Sequence, residues 1–209
     1  MVLLLDLEGP GWRLLVSYLL GAVPFGLVLC RLVKGVDLRT VGSGNIGATN
    51  AMRVLGTPLG LLAFALDVGK GYAPAALLGE GDPTLQVACG AAAVLGHVFP
   101  VYLRFRGGKA VATGAGVLLA LEPMILVASG LVWVALLLLF GFVSVSSMAM
   151  GLAFPLSAWW LGEPPVVVGG AAGLTVLILV RHRSNISRLL AGEESRTRLW
   201  LKLWRRSEA

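Results

Sequence analysis

The chain has 209 residues, 57% of them hydrophobic and only 13% charged, with a net charge of +6. A soluble domain carries about 25% charged residues, so this composition and a mean hydropathy of +0.85 exclude an ordinary soluble fold and indicate a polytopic membrane protein. In a membrane protein the positive charge reads as topology and attraction to anionic lipid, not as a nucleic-acid interface.

Residues 12–33 are the first predicted span, with Pro24 a kink. Asp6 and Glu8 precede it, where a cleavable signal peptide would be basic. Residues 34–50 are a polar loop. Residues 51–79 are apolar but interrupted at Gly56-Thr57-Pro58 and at Asp67 to Gly71, which predicts a broken helix. Glu80 to Pro83 is a turn, and 84–103 is the third span. A basic loop follows at 104–109, then a short fourth span at 110–121 and a fifth at 124–142. Residues 143–147 are expected as a polar break, with a sixth span at 148–162 and a seventh at 165–181. One all-α membrane domain of about seven transmembrane helices uses residues 1–209. Its tail, 184–209, is basic and interfacial or cytoplasmic. Trp200, Leu203 and Trp204, with Arg198, Lys202, Arg205 and Arg206, suit an amphipathic interfacial helix.

Seven spans put the termini on opposite sides. Arg31, Lys34, Arg39, Arg53, Arg104, Arg106, Lys109 and the basic residues of the tail share one side, whereas Glu80, Asp82, Glu122 and Glu163 fall on the other with Arg13. The N-terminus is therefore expected outside and the C-terminus in the cytoplasm. Every cluster of polar residues then lands at the cytoplasmic face.

The densest cluster is Gly42-Ser43-Gly44-Asn45-Ile46-Gly47-Ala48-Thr49-Asn50. Its glycines allow tight turns and close approach to a ligand. Ser43, Asn45, Thr49 and Asn50 bring neutral donors and acceptors, and Arg39 and Arg53 bracket them. That combination suits an anion, above all a phosphate. The bland alternative is a plain connection between two helices. Gly42, Gly44 and Gly47 also spell G-x-G-x-x-G, but an apolar helix precedes them where a dinucleotide fold needs a strand.

A second cluster runs from Gly96-His97-Val98-Phe99-Pro100 to Arg106-Gly107-Gly108-Lys109. Leu103 and Ala110 break the Walker pattern, so a nucleotide is disfavoured. A lysine beside two glycines can still meet a phosphate as a point charge. Asp67 and Lys70, three residues apart in an apolar segment, are placed to pair. Each would cost roughly 2.5–3.5 kcal/mol at a span centre, which makes them a functional candidate or a brace for a broken helix. His97 reads as a packing histidine more readily than as a base. His182, near Asn185 and two arginines, could orient a substrate or accept a proton. Cys30 and Cys89 lie in apolar segments, and no metal spacing is present. Neither histidine begins a His-x4-Asp signature of acyl-CoA glycerolipid acyltransferases, because position 102 is Tyr and position 187 is Ser.

Together these stretches resemble one family, the bacterial acyl-phosphate:glycerol-3-phosphate acyltransferases (the PlsY family). The resemblance rests on Gly42–Asn50 with Arg53, on Asp67-x-x-Lys70-Gly71, on Gly96 to Thr113, and on His182-x-x-Asn185-Ile186-x-Arg188-Leu189 with Gly192 and Glu193. It implies a bacterial inner-membrane enzyme that moves a fatty acyl group from acyl-phosphate to the 1-hydroxyl of glycerol 3-phosphate. Lysophosphatidate and inorganic phosphate would be the products, the first step of phospholipid synthesis. By the same resemblance Lys109, His182, Asn185 and Ser147 would be catalytic. Ser43, Gly44, Asn45, Thr49, Asn50, Arg53, Lys70, His97 and Gly108 would bind substrate. No cofactor, metal or protein partner is expected. The alternative class is a transporter or flippase for an anionic phosphate-containing solute, although no inverted repeat relates the halves.

Overall fold

The structure, a computed structural model of the chain, describes residues 9–197 and 200–201. Asp6, Glu8, Arg198, Lys202, Leu203, Trp204, Arg205 and Arg206 lie outside the described residues, and most of the expected tail helix lies there with them. Every regular element among the described residues is helical. The chain divides into two compact units at Glu122–Pro123.

The first unit holds α1 (Gly11–Gly21), α2 (Phe25–Lys34), α3 (Ala48–Leu55), α4 (Thr57–Ala73), α5 (Pro83–Val98) and α6 (Val111–Leu121). Pro24 has no N–H and separates α1 from α2, as the sequence predicts. The long apolar stretch after the loop also breaks. Gly56 has φ 84°, a conformation natural to glycine, and it ends α3 before α4 begins. The last turn of that stretch, Pro74–Leu78, widens to π geometry.

Packing in this unit is glycine against backbone. A side chain at Gly71 would collide with the Thr113 carbonyl, and one at Gly116 with the Val68 carbonyl, so α4 and α6 touch main chain to main chain. Gly21 against Ala93 and Gly96 against Tyr18 do the same for α1 and α5. Lipid tails give apolar side chains no reason to cluster, so close backbone approach carries helix association in membranes. A compact apolar cluster of Leu27, Cys30, Leu38, Ile46, Ala51, Ala63 and Leu103 lies within this unit. Leu38 and Ile46 come from the polar loop itself, so the loop is anchored by its own apolar residues.

The second unit holds α7 (Pro123–Phe140), α8 (Val143–Trp160), α9 (Pro165–Arg181) and α10 (Arg183–Leu190). The expected polar break at 143–147 is not there. Those residues are the first turns of α8, and the break falls at Gly141, φ 77°. Ser146 satisfies its hydroxyl on the Phe142 carbonyl one turn back, which is how a helix accommodates serine. Thr175 donates to Gly151 O and so ties α9 to α8. The Trp200 indole donates to Leu139 O at 3.3 Å, and the Arg196 guanidinium stacks on its ring at 4.1 Å.

Gly11–Lys34, Thr57–Leu78, Pro83–Leu103 and Pro123–Phe140 are each long and apolar enough to cross a bilayer. The bent pair α9–α10, at 52°, makes a fifth if counted as one span. Helix α6, with 11 residues, is shorter than a perpendicular crossing needs. The fold is thus that of a multi-pass, all-helical membrane protein.

Candidate active site

In the first unit the Gly/Asn loop is built around Asn50. Its side chain is 1% exposed. The amide nitrogen donates to Leu38 O, Val41 O and Asn45 O at 3.1, 3.0 and 2.9 Å, and the amide oxygen accepts from Ser43 N at 2.9 Å. Three carbonyl neighbours fix which end of the amide is nitrogen. Asn50 therefore holds the loop together from inside. Asn45 acts in the same way over a shorter range. Its side-chain oxygen accepts from Gly47 N at 2.9 Å and turns the chain into α3. Gly42 and Gly44 sit at φ 60° and 69°, and a side chain at Gly42 would strike the Asn50 amide.

The turn exposes Ser43, Gly44, Thr49 and Arg53. Thr49 and Arg53 are four residues apart on α3 and share a face. No side chain caps the N-terminus of α3, so the helix presents its positive end beside them. A hydroxyl pair, a guanidinium and a helix N-terminus are suited to binding a phosphate.

Lys109 is positioned by the chain before it. Gly107 N donates to Val98 O and Gly108 N to His97 O, at 3.1 and 3.0 Å. A side chain at Gly107 would overlap the His97 carbonyl, and one at Gly108 would overlap His97 Nε2. The two glycines thus let residues 107–108 fold flat against the buried imidazole, and half-buried Lys109 emerges from that turn. Behind His97 stands Asp67, with Nδ1 and Oδ1 4.0 Å apart. Asp67 pairs with Lys70 at 2.7 Å, and both side chains are 3% exposed. Lys70 also donates to Val23 O at 2.7 Å, at the break between α1 and α2. These contacts join α4, α5 and the α1–α2 break into one polar cluster.

In the second unit His182 closes α9. It is 3% exposed, and its Nδ1 lies 2.8 Å from Ile178 O. A carbonyl can only accept, so Nδ1 carries a proton and donates to it. Asn185 is buried one turn later and donates to Glu194 Oε1 at 2.6 Å. Glu194 Oε2 takes Arg188 Nε at 2.8 Å. The Ser147 hydroxyl accepts from the Trp133 indole at 3.2 Å, which turns its own proton elsewhere.

Glu194 and Trp133 were missed by sequence reasoning. Glu193 belongs to the motif, but its neighbour Glu194 makes these contacts, and two adjacent glutamates give no sequence signal to separate them. Burial pushes the Glu194 carboxyl up, but hydrogen bonds to it, those from Asn185 and Arg188 among them, outweigh burial and leave it below its ordinary value. A carboxyl whose folded pKa is depressed adds stability above its unfolded pKa of 4.5 and loses it as the pH falls below that. Glu194→Gln should lower stability by about 1–3 kcal/mol near neutral pH. It should also flatten the fall in stability below about pH 4.5. Melting midpoints of wild type and variant across that range would check both.

Together these features define a class: a helical integral membrane protein with exposed hydroxyls and a guanidinium beside a helix N-terminus, in a chain whose described residues hold no cluster able to ligate a metal. The chain belongs to the glycerol-3-phosphate acyltransferase family, whose sequence model matches residues 12–192. It is 44% identical over 183 residues to the glycerol-3-phosphate acyltransferase of Aquifex aeolicus, covering 86% of this chain and 95% of that one. It is 46% identical over 185 residues to that of Dinoroseobacter shibae, covering 87% and 90%. Among solved structures it resembles PlsY (YgiH), an integral membrane glycerol 3-phosphate acyltransferase, in its glycerol 3-phosphate form. The TM-score is 0.87 at 41% identity, over 92% of this chain and 98% of that one. The lysophosphatidic acid form of PlsY matches at a TM-score of 0.83.

Proposed function

We propose that this protein is an enzyme of the bacterial inner membrane that moves a fatty acyl group from acyl-phosphate to the 1-hydroxyl of glycerol 3-phosphate. The products are lysophosphatidate and inorganic phosphate. The observation that carries this is the solved relative's two forms, which hold the acceptor and the product of that reaction.

The topology in this reading is seven crossings: α1 with α2, then α4, α5, α6, α7, α8 and α9. The N-terminus lies outside, and the loops carrying Ser43 and Lys109, together with His182 and the tail, lie in the cytoplasm. Glycerol 3-phosphate enters from that side, and the acyl chain lies among apolar helices. In the first unit Ser43, Gly44, Thr49 and Arg53 bind phosphate, and Lys109 stabilises charge that develops there. Asn45, Asn50, Gly108, His97 and Lys70 support them by holding the loops. In the second unit Asn185 and Ser147 serve the carbonyl oxygen.

The hydroxyl oxygen attacks the carbonyl carbon and a new C–O ester bond forms. The bond from that carbon to the bridging oxygen breaks, and phosphate departs with the electron pair. Phosphate is a good leaving group, so positioning counts for more than nucleophile activation. The departing phosphate takes the hydroxyl proton; His182 is the rival acceptor, through Nε2. Phosphate as acceptor predicts that His182→Gln, which keeps a polar side chain, retains the wild-type shape of the pH–rate profile between about pH 6 and pH 9. A lost acid limb in that profile would make His182 the base.

The test of the reaction is its stoichiometry. Purified protein in detergent, given palmitoyl-phosphate and glycerol 3-phosphate, should release phosphate and lysophosphatidate in equal amounts. Phosphate without an acylated acceptor would indicate a hydrolase. Bound glycerol 3-phosphate without product would favour an anion transporter.

A further inference from the structure

The first unit contains a second cationic feature that the reaction does not use. A cavity of about 530 Å³ is lined by Arg31, Arg39, Tyr102, Leu103, Arg104 and Arg106. None of the residues assigned to substrate or catalysis lines it.

Four arginines line the cavity, and one carboxylate, Asp37, pairs with two of them. Asp37 takes Arg31 at 2.6 Å and Arg39 at 2.7 Å. The Arg39 hydrogen bonds hold the Asp37 carboxyl well below the usual carboxylate range, so it stays ionised. Arg104 and Arg106 make no ion pair among the described residues. Four positive charges against one negative leave a local excess of three.

The arginines are also held in place. Leu103 belongs to the buried apolar cluster. Leu103 N and Phe105 N both donate to Pro100 O, at 3.0 and 2.9 Å, and Arg106 N donates to Leu103 O at 3.2 Å. Arg104 and Phe105 adopt φ of 51° and 61° in succession, a conformation that non-glycine residues rarely take. A fixed turn therefore carries two of the four arginines that line the cavity. Gathering like charges costs energy that an anion would recover.

Apolar residues adjoin these charges in sequence. Leu32 is 78% exposed, beside Arg31. Tyr102 and Phe105, on either side of Leu103 and Arg104, are 56% and 60% exposed. Guanidinium forks fit phosphate oxygens two at a time, and exposed apolar side chains beside them suit glycerol esters and acyl chains. Basic pockets at the cytoplasmic ends of membrane helices are suited to lipid headgroups.

We propose that this cavity binds the phosphate of an anionic glycerophospholipid, through residues other than those assigned to substrate. Phosphate is the shared chemistry, and a lipid headgroup is the source proposed over free phosphate.

The test is native mass spectrometry of the delipidated full chain, titrated with dioleoyl-phosphatidylglycerol or with dioleoyl-phosphatidylcholine. Wild type should bind one phosphatidylglycerol at least about tenfold more tightly than phosphatidylcholine, because the choline cation of the latter offsets the same phosphate and is set against the arginines. The R104Q/R106Q double variant should lose that preference, and R106Q alone should fall between. Arg104 and Arg106 are exposed, and unchanged melting midpoints would establish that the variants fold. Inorganic phosphate is the third arm. If it leaves phosphatidylglycerol bound, the lipid assignment holds. If it displaces the lipid and binds in its place, free phosphate is the occupant and the lipid assignment falls. Equal phosphatidylglycerol binding by wild type and double variant would overturn the site altogether. The readout is binding, so it does not depend on whether the acyltransferase reaction is as described.

Discussion

Lys109→Met is expected to lower kcat by about 10²–10³-fold, with a smaller change in KM for glycerol 3-phosphate. The reason is where charge develops. As the carbonyl–oxygen bond of acyl-phosphate breaks, negative charge grows on the departing phosphate. A fixed cation beside it is worth more in that transition state than in the ground state. The chain fixes Lys109 from both sides. Before it, Gly107 and Gly108 are hydrogen-bonded to Val98 and His97. After it, Ala110 is fully buried with φ 68° and caps the start of α6. Methionine keeps most of the apolar stem and removes the ammonium group with its charge and N–H donors. Steady-state kinetics on folded variant would decide the matter. Turnover within about twofold of wild type would remove Lys109 from the catalytic machinery.

Asn50→Asp should be nearly as damaging by a different route. The two side chains have the same shape, and aspartate could still accept from Ser43 N. It could not donate to Leu38 O, Val41 O and Asn45 O, and its charge would face three carbonyl oxygens. Each unmatched buried polar group costs about 1–3 kcal/mol, enough to dismantle a loop of this size. The expected result is a rise of at least about tenfold in KM for glycerol 3-phosphate, together with faster proteolysis within residues 38–50. Asn50→Ala should behave alike, because donors are what the loop needs. An intact loop and unchanged KM in Asn50→Asp would mean that the amide does not organise the phosphate-binding turn.

The sequence made the loop and the family legible through residue types that membrane connections do not need. Gly42, Gly44, Asn50 and the Gly107-Gly108-Lys109 run are examples, and each has a geometric role here. The two positive-φ glycines turn the chain around the Asn50 amide, and the glycine pair lets the backbone lie on His97. The division of labour among polar residues was not legible. Ser43 and Asn50 look alike in sequence, yet one is exposed and the other is buried and fully hydrogen-bonded to the main chain. Which asparagine faces inward depends on the register of α3, which begins at Ala48. The polar run 143–147 read as a break because serine is a weak helix former. It is helical, and Ser146 is accommodated there by returning its hydroxyl to a carbonyl one turn back. The glutamate partner of Asn185 and Arg188 was not legible: Glu193 carried no such role in the sequence, and Glu194 makes the contacts after the chain turns at Gly192, φ 72°.

The choice of donor is the most direct test of the proposed reaction. Purified protein in detergent would be given glycerol 3-phosphate with palmitoyl-phosphate, and in parallel with palmitoyl-CoA, and lysophosphatidate would be followed in both. Lysophosphatidate from palmitoyl-phosphate alone is the predicted result. Lysophosphatidate from palmitoyl-CoA would contradict the donor assignment, and folded protein that makes none from either donor would contradict the acyltransferase itself.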